Sequence, residues 1–106
     1  MRPILPGTEG LNRLEARYAQ ELELKRRAGL IIDYKIHPFG MRLADKTFYH
    51  PDFLVVFPDR FEIHETKGFL RDDASVKIKV AAAQFPWMKF KMVFWDKREG
   101  WKVKEY

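Results

Sequence analysis

With 106 residues, 46% of them hydrophobic, the chain has enough apolar content for one packed core and too little length for two. Cysteine is absent, which excludes disulfides, thiolate nucleophiles and cysteine-based zinc sites and leaves oxygen and histidine as the available metal ligands. The 20 Lys and Arg against 15 Asp and Glu give a net charge of +5, a balance that favours a polyanionic partner. No apolar run approaches the roughly 18–20 residues of a membrane span and no signal-peptide pattern opens the chain, so a soluble, cytoplasmic protein without a membrane partner is expected.

Met1 to Gly7 holds Pro3, Pro6 and Gly7 and reads as an irregular arm. Thr8 can cap a helix over residues 9 to 28, rich in Leu, Ala, Glu, Gln and Arg, that ends at Gly29 as its C′ residue. On a helical wheel Leu11, Leu14, Tyr18 and Leu22 form the apolar stripe, and Glu15 falls inside it rather than on the wet side with Arg13, Arg17 and Gln20. A carboxylate in that position is costly unless it is paired, metal-bound or able to reach water from the edge of the stripe. Glu21 and Glu23 read as solvated charges, with i to i+4 pairs such as Glu21 to Lys25. Arg13, Arg17, Arg26 and Arg27 are candidates for phosphate contacts, although a basic solvated face is the commoner meaning of such residues.

Leu30 to Pro38 reads as the first strand, and Met41 to Ala44 as a short second one before a turn at Asp45-Lys46. The run from Tyr49 to Lys67 then reads as one hairpin about Phe57-Pro58-Asp59-Arg60, where Pro presets the backbone at the second turn position. A four-residue turn sets Val56 opposite Phe61, Leu54 opposite Ile63 and Asp52 opposite Glu65, all on one face, with Lys67 two residues beyond. Any one-residue slip would pair apolar with polar side chains along the ladder. Opposed carboxylates repel, so the pair requires a raised pKa, a bound cation or the Lys67 ammonium. A hard divalent ion such as Mg²⁺ suits carboxylate oxygens. Glu65-x-Lys67 alone is an ordinary surface pair; combined with Pro51-Asp52 in the facing strand it is far rarer.

Gly68 ends the strand, and Asp72 or Asp73 can cap a second helix over residues 74 to 85. That helix is apolar on two sides, through Val76, Val80 and Ala83 and through Ile78, Ala82 and Phe85, with Lys77 and Lys79 on its polar flanks. Pro86 stops it. Phe90 to Trp95 reads as a central strand, Asp96 to Gly100 as a turn and Trp101 to Tyr106 as an edge strand. The order fits an α/β domain covering residues 1 to 106, with one mixed β-sheet flanked by helices. His37, His50 and His64 share no metal-ligand spacing, which argues against zinc catalysis, and no phosphate-binding glycine motif appears, which argues against a nucleotide cofactor.

Pro51-Asp52 together with Glu65-Thr66-Lys67 resembles the PD-(D/E)XK nuclease signature, and Tyr49-His50-Pro51-Asp52-Phe53 and Glu65-Thr66-Lys67-Gly68-Phe69 resemble small phage members of that superfamily. The size is similar to that of the archaeal Holliday-junction resolvases and the phage endonuclease I type. The resemblance implies a restriction-endonuclease-like core and Mg²⁺-dependent hydrolysis of DNA, with Mn²⁺ able to substitute. Asp52, Glu65 and the Thr66 carbonyl would hold the ion, since the Thr66 side chain is expected to point away while its backbone stays near. Glu15 would supply the helix-borne acid, and Lys67 would orient or activate water. Branched DNA is the expected substrate and a homodimer the expected assembly, with the second helix and Trp87, Trp95 and Trp101 supplying apolar interface. A flap, single-strand or nicking nuclease, or an inactive nucleic-acid-binding module, are the alternatives.

Overall fold

Residues 11–68 and 75–106 are described in a computed structural model; the arm, the Thr8 cap and the Asp72 or Asp73 cap lie outside them. The first helix, α1 (Arg13–Arg27), begins at Arg13 rather than at residue 9, because Asn12 is its N-cap. The Glu15 N–H donates to Asn12 Oδ1 at 2.7 Å and Asn12 Nδ2 donates back to Glu15 Oε1 at 2.5 Å, a reciprocal closure of the capping-box kind. Its end is the expected one. Gly29 lies at φ +79, the Gly29 N–H bonds the Arg26 carbonyl and the Leu30 N–H bonds the Lys25 carbonyl, the two closing bonds of a Schellman motif.

Seven strands follow: β1 (Asp33–Ile36), β2 (Met41–Ala44), β3 (Thr47–Tyr49), β4 (Phe53–Val56), β5 (Phe61–Lys67), β6 (Lys89–Asp96) and β7 (Gly100–Glu105), with helix α2 (Val76–Gln84) between β5 and β6. Five of them form a mixed sheet in the order β1-β4-β5-β6-β7, in which only β5 and β6 run parallel. The hairpin register is the expected one, Val56 opposite Phe61 and Leu54 opposite Ile63, and the Phe57 N–H closes the turn on the Arg60 carbonyl at 2.9 Å. The expected single run from Tyr49 to Lys67 is broken, however. Pro51 has no N–H to donate, β3 pairs with β2 in a separate two-stranded sheet, and β4 begins only at Phe53. The first strand is likewise shorter than Leu30–Pro38, with exposed Leu30 and Ile32 outside it.

The helices cover opposite faces of the sheet. Tyr18, Ala19 and Leu22 of α1 pack on Phe53, Val55 and Val93, while Ile78 and Ala81 of α2 pack on Ile63, Phe90 and Met92 together with Met41 and Tyr49 from the small sheet. That small sheet is fastened to α2 by Lys77 Nζ on the Phe48 carbonyl (3.0 Å) and by Gln84 Nε2 on the Leu43 carbonyl (2.8 Å). No described helix is long and apolar enough to cross a membrane.

Because β5 is covered on both faces, its alternating residues are buried on both, and one of them is a charge. Glu62 is fully buried beneath α1 and accepts from Arg60 Nε (2.6 Å), Lys91 Nζ (3.0 Å) and His64 Nε2 (2.9 Å). Burial alone would raise its pKa, but the hydrogen bonds from His64, Arg60 and Lys91 outweigh it and hold the carboxyl at about 2. His64, whose own pKa burial pushes down, presents its other nitrogen to the Tyr18 hydroxyl at 2.6 Å. A neutral imidazole with Nε2–H on the carboxylate accepts the Tyr18 O–H at Nδ1, so one chain of bonds runs from β6 through β5 to α1. Glu23, expected in solvent, is likewise largely covered. It is gripped by Arg26 (2.7 Å), Arg27 (2.8 Å) and the Tyr34 hydroxyl (3.1 Å), which fastens α1 to β1.

Removing the Glu62 charge breaks a buried carboxylate's bonds to His64, Lys91 and Arg60, but the two cations keep access to solvent, so Glu62→Gln should cost about 1–3 kcal/mol. The folded-state pKa lies below the unfolded value of 4.5, so the ionic contribution is complete above that value and fades as pH falls toward about 2. Denaturant unfolding should therefore show the gap between wild type and variant at pH 7 and its narrowing through that acid window.

Candidate active site at the β4 and β5 strand ends

Asp52 lies one residue ahead of the β4 ladder, so the strict alternation of side chains does not bind it. Its backbone N–H donates to Glu65 Oε1 at 3.1 Å and its carbonyl accepts the His37 N–H at 2.8 Å. Its Oδ2 accepts both the N–H and the Oγ1 hydroxyl of Thr66, at 2.9 and 2.8 Å. The Thr66 side chain therefore does not turn away from the site, as alternation had suggested; the Asp52 carboxylate swings past the strand end to meet it. In an extended strand the N–H and C=O of one residue face the same neighbour, so Thr66, with its N–H on Asp52, directs its carbonyl to that side as well.

Glu65, buried on the α2 face, is pushed up to about 8, first by burial, then by the Asp52 charge and a hydrogen bond to the Asp52 carboxyl, with Lys67 opposing. Lys67, half-buried at the end of β5, is thus close enough to act on Glu65. Beside them the Tyr49 phenol is 97% buried (3% exposed) with no hydrogen-bond partner among the described residues; burial, then Glu65 and Asp52, raise its pKa.

Glu15 reaches the same place from α1, its side chain mostly covered, as the wheel implies. It meets there a residue that sequence spacing passed over. His37 Nε2 lies 2.8 Å from Glu15 Oε2, and one ligand atom each from Glu15, His37 and Asp52 fall within 4.8 Å of one another. His37 follows β1 at φ +47, a left-handed backbone that turns its ring toward α1. The available signal was His37-Pro38 directly after a strand, which marks a bend, but not which residues the bend would meet. His50, by contrast, lies against Gly40, where an added Cβ would come within 2.8 Å of the ring, and beside Phe48 at 6.2 Å between ring centroids. His64 belongs to the buried Glu62 network.

The basic candidates are spread out. Arg13 is at the start of α1, near Glu15, and Arg17 lies over the Trp95 ring at 4.9 Å. Arg26 and Arg27, roughly 20 Å along the helix from Arg13, are engaged by Glu23. Lys77 is spent on the Phe48 carbonyl, and Lys79 is exposed on α2. The donor groups for a cation thus overlap at Asp52, with Glu65 and the Thr66 carbonyl on one side and Glu15 and His37 on the other. No protein-family model, curated protein or solved structure matches the chain.

A carboxyl whose pKa is raised from 4.5 to about 8 favours folding fully below pH 4.5 and loses that contribution as pH rises through 8. In metal-free buffer at pH 9, Glu65→Gln should therefore melt higher than wild type, by roughly 4–8 °C if the relief is about 1 kcal/mol. At pH 4.5, where Glu65 is protonated, the two should melt together.

Proposed function

We propose that the protein is a metal-dependent endodeoxyribonuclease of the PD-(D/E)XK kind with a restriction-endonuclease-like core, and that its preferred substrate is a four-way DNA junction. The observation that carries this reading is the unbalanced acid pair at the ends of adjacent strands, Asp52 and Glu65, with Glu65 held at about 8 and Lys67 next on its face. Structural ion pairs balance charge; this arrangement sets two carboxyls together that do not both ionise readily without a cation.

Asp52, Glu65 and the Thr66 carbonyl are the groups to hold Mg²⁺ or Mn²⁺, with Glu15 contributing from α1, and the two-acid set fits a hard divalent cation. Such an ion, when bound, supplies charge neutralisation at the phosphate and a more acidic water. The chain's own part is positional. Thr66 fixes the orientation of the Asp52 carboxylate through two hydrogen bonds, and Lys67 presents an ammonium beside Glu65 to orient the attacking water or hold a phosphate oxygen. Arg13 and Arg17, each two residues from Glu15 along α1, are the first choices for backbone phosphates; Arg26, Arg27, Lys77 and Lys79 extend the basic surface, with the first three already engaged within the fold.

Symmetric cutting of a junction needs two sites, hence a C₂ homodimer. Val76 and Val80 on the outer side of α2 and Trp87, 73% exposed, are the apolar surface for it. Trp101 is packed against the α1 core and Trp95 is covered in part by Arg17, so neither is free for that role to the same degree.

Asp52→Asn and Glu65→Gln should each lower cleavage of a four-way junction in Mg²⁺ by at least about 10²-fold, while DNA binding is retained or tightened because repulsion of phosphate is relieved. Lys67→Ala should lose turnover with little change in melting temperature. Near-normal turnover by either acid variant would overturn the site. A protein that is monomeric by light scattering with and without junction DNA, or that cuts flap or single-stranded DNA faster than the junction, would replace the resolvase reading with a flap or single-strand nuclease.

A further inference from the structure

We infer that Glu15, His37 and Asp52 form a second cation site, which shares Asp52 and Glu15 with the all-oxygen site at Glu65 and adds His37, and that its imidazole makes it a site for borderline divalent ions of the Co²⁺ and Ni²⁺ type in preference to Mg²⁺. The ligand spacing is right for a single ion. Ligands roughly 2.1 Å from a six-coordinate ion lie roughly 3.0 Å apart when adjacent and roughly 4.2 Å apart when opposite. The Nε2 to Oε2 separation of 2.8 Å is close to the adjacent spacing, and all three ligand atoms lie within 4.8 Å of one another, so closing on one ion takes small side-chain shifts.

Each ligand is also held from behind. Asn12 Nδ2 binds the other oxygen of Glu15, Thr66 fixes one oxygen of Asp52, and the His37 N–H donates to the Asp52 carbonyl, so ring and carboxylate are joined through the backbone as well. Such outer partners orient first ligands at metal centres. The Tyr49 hydroxyl, buried and without a hydrogen-bond partner among the described residues, belongs to the α2-face core and feels Glu65 first and Asp52 second, so it lies toward the all-oxygen side of Asp52. His37 is 56% exposed, so three protein ligands leave room for water on the solvent side.

The nitrogen donor decides the ion. Carboxylate and water suit Mg²⁺, whereas imidazole suits the later first-row ions, whose affinities rise from Mn²⁺ to Co²⁺ to Ni²⁺. The site deepens the nuclease reading by naming an ion class at Asp52, but its binding is measurable without DNA, so either can fail alone.

The test is calorimetric titration of the full chain, free of DNA, with Mg²⁺, Co²⁺ and Ni²⁺. Wild type should bind Co²⁺ and Ni²⁺ more tightly than Mg²⁺. His37→Asn, a residue that tolerates the left-handed backbone, should weaken Co²⁺ and Ni²⁺ by about ten- to hundredfold and leave Mg²⁺ within about twofold, because Mg²⁺ gains little from the ring. Glu15→Gln should also weaken Co²⁺, and Glu65→Gln should not. Unchanged Co²⁺ affinity in His37→Asn, or equal wild-type affinity for Co²⁺ and Mg²⁺, overturns the inference. If His37→Asn fails to fold, unchanged Co²⁺ binding by Glu15→Gln overturns it instead. Absence of cleavage alongside His37-dependent Co²⁺ binding would remove the nuclease reading and leave this site standing.

Discussion

The arrangement of the whole molecule depends on one buried carboxylate. Glu62 sits in the middle of the sheet, on the strand covered by a helix on either side, and cannot be hydrated there. It is tolerable only because Arg60, Lys91 and His64 converge on it from three positions, the turn before β5, the neighbouring β6 and β5 itself. Through His64 the same bonds reach Tyr18, which locks the rotation of α1 about its axis. Glu15 is one turn before Tyr18, so the rotation that satisfies the buried network also directs Glu15 toward the end of β4. A charge buried beneath α1 thus determines which acid the same helix brings to the strand end.

At that strand end the interactions have the opposite character. The Glu62 network balances its charges, while Asp52, Glu65 and Glu15 bring three acids together against His37 and Lys67. Asp52 is the hub, because it uses its N–H, its carbonyl and one carboxylate oxygen on three different partners before any ligand arrives. Its position just ahead of the ladder makes this possible. A residue one place later would have its backbone committed to sheet pairing and its side chain committed to one face.

The parts of this organisation that repeat with a short period were readable in the sequence. The hairpin register followed from alternation about Pro58, the end of α1 from Gly29, the edge position of the last strand from its alternating lysines, and the inward tilt of Glu15 from the 3.6-residue wheel. The start of α1 was also written there, as Asn12 followed three residues on by Glu15, although Thr8 offered a competing cap. What could not be read depends on tertiary placement. Glu62 and His64, alternating on a strand, look like a solvated face until α1 is known to cover them. His37 joins the acids through a left-handed bend, and Thr66 meets Asp52 because a carboxylate leaves its strand; neither event has a period.

The parallel pairing of β5 with β6 also bears on how the chain is synthesised. An antiparallel partner can follow within a few residues, but here the partner starts at Lys89, 22 residues after β5 ends at Lys67. As the chain leaves the ribosome, at about 5–20 residues per second, β5 therefore spends on the order of a second with one edge unpaired. Its composition suits that interval. Before β6 arrives its side chains include Glu62, His64, Glu65 and Lys67, whose charges and polarity discourage association with the same strand on a neighbouring nascent chain.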